Sequence, residues 1–101
     1  MRRIIDGKAY DTEKSLEIAS DGQGYMNDFH HWEETLHKTQ RGAWFLRGSG
    51  GALSHWSRET DDNMRGGGCG IRVLTSDEAR EWLERGSFTA SIDAHFAVEE
   101  A

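Results

Sequence analysis

The feature that most constrains this chain is the stretch from Trp32 to Trp56, WEETLHKTQRGAWFLRGSGGALSHW, which holds three of the four tryptophans. An indole is too large to bury at random, so a segment carrying three of them anchors the core. From His31 to Thr39 the side chains alternate. Trp32, Glu34, Leu36 and Lys38 share one face of a strand, and Glu33, Thr35, His37 and Thr39 share the other. Gln40-Arg41-Gly42 turns the chain, and Ala43-Trp44-Phe45-Leu46-Arg47 returns it as a second strand. Trp44 and Leu46 point one way and Phe45 the other, so both faces of the returning strand are expected to be covered. Gly48-Ser49-Gly50-Gly51 reads as the end of that strand, with a short helix over Ala52 to Arg58.

The flanks carry local signals of their own. Ile4-Ile5-Asp6-Gly7-Lys8-Ala9-Tyr10 has the form of a tight hairpin, because Asp-Gly suits the two positive-φ positions of a type I′ turn. Asp11 or Thr12 then caps an expected short helix running to about Ala19, with Leu16 and Ala19 inward. Tyr25 and Phe29 fall in or near the connection to the tryptophan hairpin. Residues 60–70, TDDNMRGGGCG, are expected to form a mobile, Gly-rich loop. Ile71 to Leu74 is a short strand. Thr75-Ser76-Asp77-Glu78 is a capping box that starts a helix with Ala79, Trp82 and Leu83 on its apolar stripe and Gly86 as its stop. A last helix over about Thr89 to Glu99 would bury Ile92 and Phe96. The predicted fold is one α+β domain over residues 1–101, a mostly antiparallel sheet of two hairpins plus one strand, with a short helix and C-terminal helices.

Charge is placed unevenly. The net charge is -6, and residues 77–101 hold seven acids, Asp77, Glu78, Glu81, Glu84, Asp93, Glu99 and Glu100, against Arg80 and Arg85. The first 76 residues hold eleven acids and ten bases and are nearly balanced. Acids in a first helical turn satisfy the helix dipole, but the bias extends over the whole C-terminal quarter. It predicts an acidic face complementary to a basic groove on a protein partner. Direct nucleic-acid binding is disfavoured, since no basic run with interleaved aromatics occurs. No stretch has the length and apolarity of a membrane span or signal peptide, which points to the cytoplasm and to no membrane partner.

Other chemistry-bearing residues form no strong motif. Gly48 to Gly51 before a short helix could offer amides to an anion, with His55 or Cys69 nearby in an alternative reading as a small enzyme or nucleotide binder. The turn lacks the Lys-Ser/Thr ending of a P-loop. Cys69 sits among glycines that leave its thiol poorly oriented, and as the single cysteine it allows no internal disulfide. His30, His31, His37, His55 and His95 lack a metal-ligand spacing, and adjacent Glu33 and Glu34 face opposite ways. No cofactor and no catalytic residue is expected. A third reading, in which the hairpin edge pairs with a second copy, leaves monomer or homodimer open.

The order IIDGKAYDTE, GY..DF, EETLHKT..G.WFLRGSGGALS and LTSDEAREWLE resembles a family of small phage and mobile-element proteins, over roughly residues 3 to 85. In that family a turn Asn stands where this chain has Asp6, and a Pro precedes the leucine where this chain has Val73. The tail after Gly86 departs most. Small acidic products of such elements include anti-CRISPR inhibitors, which bind effector complexes or nucleases and have no active site. The resemblance therefore implies a non-catalytic inhibitor, with the acidic C-terminal residues as the partner-binding set.

Overall fold

The computed structural model describes residues 1–24, 30–51, 56, 58–61, 64–66 and 68–101. At the start, Asp6 and Gly7 take φ of 52° and 74°, the pair of left-handed positions a type I′ turn requires. They join β1 (Arg2–Ile5) to β2 (Lys8–Asp11) with Ile5 opposite Lys8. The expected first hairpin is therefore present.

The next segment corrects the expected short helix over 12–19. It forms a strand, β3 (Leu16–Gln23), paired antiparallel with β4 (Trp32–Lys38). A bulge between Glu17 and Ala19 shifts the register, so Ile18 and Ala19 are both half-buried although adjacent. That bulge breaks the period of two and leaves Leu16 and Ala19 at a helix-like spacing. Tyr25 and Phe29 lie outside the described residues.

β4 turns at Thr39 to Gly42 into β5 (Trp44–Gly50), with Lys38 opposite Trp44. Thr39 closes the turn: its N–H donates to the Ala43 carbonyl at 2.8 Å and its Oγ1 accepts from the Ala43 N–H at 3.0 Å. Gly48 does not end the strand as expected. β5 runs on through Gly50 because β8 (Gly68–Leu74) pairs along its other side, Trp44 to Leu74 and Gly50 to Gly68. Glycine at position 48 has a packing reason, since a Cβ there would overlap the Trp56 ring. The helix expected over 52–58 lies mostly outside the described residues; Arg58 opens β6 (Arg58–Asp61), which pairs with β7 (Met64–Gly66). The expected loop at 60–70 thus contributes to three strands.

The main sheet has the order β3-β4-β5-β8, and β1-β2 and β6-β7 form separate two-stranded ladders. All pairings are antiparallel, and the architecture is α+β. Two helices follow, α1 (Ser76–Arg85) and α2 (Thr89–His95). α2 is shorter than expected and stops at Phe96, whose backbone is extended. The helices cover one face of the sheet, where Leu36, Trp44 and Leu46 meet Ala79, Trp82 and Leu83. On the opposite face Phe45, fully buried, meets the Tyr10 ring edge-on at 5.6 Å and stacks on His37 at 5.0 Å. β5 is therefore covered on both faces, as the alternation predicted. No described helix is long and apolar enough to cross a membrane.

Candidate interaction face

α1 owes its position to local sequence first. Thr75 stands outside the helix with ψ of 165°; its Oγ1 accepts from the Glu78 N–H at 3.1 Å, and Glu78 Oε1 accepts from the Thr75 N–H at 2.9 Å. This is the capping box read from the sequence. Hydrogen bonding from Thr75, its backbone N–H contributing most and its hydroxyl next, holds the Glu78 carboxyl below its ordinary pKa. At the far end the chain reverses with Gly86 in a right-handed conformation and Ser87 at φ 59°. Gly86 is needed for proximity, because a Cβ there would overlap the Phe88 ring. That ring stacks on Trp82 at 5.5 Å and ties the turn to the core.

A polar contact fixes how α1 sits on the sheet. Glu34, on the helix-facing side of β4 and only 6 % exposed, accepts from two indoles. Trp82 Nε1 donates to its Oε1 and Trp56 Nε1 to its Oε2, each at 2.8 Å. A buried carboxylate is costly unless its oxygens are satisfied, and two indole donors do so from opposite sides. Arg72 lies over the Trp56 ring at 4.9 Å. Glu34, Arg72 and Trp82, together with Trp32, Glu81 and Arg85, border a cleft of about 480 Å³ beside α1. The sequence placed Glu34 opposite Glu33 correctly, with Glu33 exposed. Its indole partners lie 22 and 48 residues away, so no local signal could have found them.

All seven acids of the predicted face are exposed. Asp77 and Glu84 flank Arg80 at 3.4 and 3.9 Å, and Glu78 serves the cap. Glu81, Asp93, Glu99 and Glu100 have no side-chain hydrogen bond or ion pair among the described residues. Asp77, Glu81 and Glu84 recur at intervals of four and three, so they occupy one outward stripe of α1.

The alternative site falls only in part among the described residues. Gly48 to Gly50 belong to a strand laddered on both sides, and the Gly51 N–H donates to the His31 carbonyl at 2.9 Å. Their amides are engaged in the fold. Cys69 is exposed opposite Ser49, while His37 lies opposite Phe45. Four residues along β5 separate those rungs by about 13 Å, too far for a thiol and its base. His55 lies outside the described residues. Among the described residues no group of three His, Cys, Asp or Glu side chains is placed to hold a metal. No family model, curated protein or solved structure matches the chain.

Proposed function

We propose that this chain is a non-catalytic binding protein that presents its acidic C-terminal face to a positively charged surface of a protein partner. The observation that carries the reading is the placement of seven exposed carboxylates on α1, α2 and the tail. α1 itself is fixed by a capping box and by the Trp82–Glu34 bond. A surface with this excess of negative charge raises the rate of encounter with an oppositely charged groove and selects against acidic surfaces. The class of partner that suits it is a protein whose basic channel otherwise takes nucleic acid. With the motif resemblance, this favours an inhibitor from a phage or mobile element, an anti-CRISPR acting on an effector complex or nuclease in the host cytoplasm.

The test is capture of CRISPR effectors by the tagged protein at low and high salt. It is paired with Glu81→Lys, Asp93→Lys, Glu99→Lys and Glu100→Lys combined. Those four positions carry no internal contact among the described residues, so their reversal leaves the cap and the Arg80 pairs in place. Capture that weakens with salt and is lost in the variant is the expected result. Capture of an effector by the reversed variant at unchanged strength refutes the acidic-face mechanism, and absence of any effector refutes the inhibitor assignment.

A further inference from the structure

We propose that the cleft between the β1–β2 hairpin and the β4–β5 turn is a binding site for a phosphorylated small molecule of about nucleotide size. The inference is independent of the acidic face and rests on other residues. The cleft encloses about 630 Å³, within the range of small-molecule sites. Four cations line it: Arg2 from β1, Lys8 from β2, Lys14 from the link to β3, and Arg41 from the β4–β5 turn. Among the described lining residues the only carboxylate is Asp11.

Asp11 is already engaged. Its Oδ1 accepts from the Glu13 N–H at 2.9 Å, and its Oδ2 lies 3.8 Å from Arg2 Nε. Lys8, Lys14 and Arg41 have no ion pair among the described residues. A chain of net charge -6 thus gathers three uncompensated cations around one concavity. Closed turns present them. Lys8 follows the I′ turn, the Lys14 N–H donates to the Asp11 carbonyl at 3.2 Å, and the Gly42 N–H beside Arg41 donates to the Thr39 carbonyl at 2.9 Å.

The charge count selects the ligand chemistry. Three cations on the wall of one cleft exceed what one carboxylate needs and suit a phosphate or diphosphate, for which an Arg offers a bidentate fork and the lysines point charges. Ala9 and Ala43 add apolar wall that an uncharged ring can cover. A nucleic-acid strand is disfavoured, because the chain carries a net charge of -6 and no basic run leads out of the cleft.

The experiment is a titration of the ¹⁵N-labelled full chain, followed by amide chemical shifts. The probes are inorganic phosphate, adenosine diphosphate, adenosine and a short single-stranded oligonucleotide. The diphosphate should shift the amides of Gly7, Lys8, Arg41 and Gly42 saturably, phosphate should shift the same amides more weakly, and adenosine should leave them still. Lys8→Gln, Lys14→Gln and Arg41→Gln together should weaken diphosphate binding by about tenfold or more, given the modest worth of each exposed charge pair. Arg85→Gln, outside the cleft, should leave it unchanged. The proposal is overturned if the shifts scatter over the surface, if the triple variant binds as the parent does, or if the oligonucleotide binds more tightly than the diphosphate. Should the triple variant unfold, Lys14→Gln alone carries the same comparison.

Discussion

Replacing Glu34 by Gln keeps the shape of the side chain and removes half of its accepting capacity. The carboxylate takes two indole N–H donors at 2.8 Å, one per oxygen. A glutamine has one carbonyl oxygen, so its NH₂ must face one of the two indoles, donor against donor. A buried donor left unsatisfied costs about 1–3 kcal/mol, and bonds to a charged acceptor are the stronger kind, which puts Glu34→Gln at about 2–3 kcal/mol. At about 4–8 °C per kcal/mol for a domain this size, the melting temperature should fall by about 10–20 °C. Urea unfolding followed by tryptophan fluorescence measures the cost. The decisive comparison is the same substitution in a Trp82→Phe background. There only the Trp56 N–H needs an acceptor, and the glutamine carbonyl supplies it. The cost should shrink by about 1 kcal/mol or more, a coupling well beyond the ~0.5 kcal/mol scatter of independent sites. Costs that add within that scatter would refute the idea that the indole bonds give Glu34 its importance.

Three further variants test the same geometry. Thr75→Ala removes the cap acceptor and should cost about 0.5–2 kcal/mol, with loss of helical circular dichroism at α1 before global melting. The same variant should blunt an acid-linked term: the lowered Glu78 pKa contributes stability that is complete above its ordinary 4.5 and is lost as pH falls through the folded value, so acid unfolding should begin from a flatter slope. His37 has its pKa lowered chiefly by burial and also by Arg47, against an opposing pull from Glu17, so the fold disfavours its protonation. The unfolded chain binds its proton more readily, so stability should decline as pH drops below 6.5, and His37→Gln should remove that decline in pH-dependent urea midpoints. Gly48→Ala should displace the Trp56 ring, costing about 1–3 kcal/mol as overpacking and shifting the tryptophan emission.

What was legible in the sequence was whatever two or four neighbouring residues decide. Asp6-Gly7 fixed a turn, Thr75 and Glu78 fixed a helix start, and alternation through Leu36 and through Trp44-Phe45-Leu46 identified the two central strands and their faces. β3 was hidden because its bulge puts Ile18 out of step, and an out-of-step strand imitates a capped helix. The continuation of β5 through Gly48 and Gly50 was hidden because its partner, β8, begins eighteen residues after Gly50 and the reason for glycine at position 48, the Trp56 ring, is also non-local. The acidic face was readable from composition, since surface charge needs no partner. The basic cleft was not. Its four cations come from four segments, none forms a run, and only the meeting of two hairpin ends places them together.

The Glu34 carboxylate also has a directional consequence. A helix held only by Ala79, Trp82 and Leu83 against an apolar sheet could roll and still bury much the same area. One residue of rotation is about 100°, and any roll of that order swings the Trp82 N–H off Glu34 and leaves that buried indole donor without its acceptor. The bond therefore acts as an alignment key for α1. The bearing it sets is inherited by everything on the opposite side of the helix: Asp77, Glu81 and Glu84 are aimed, at a fixed heading relative to the sheet, by a hydrogen bond that none of them touches.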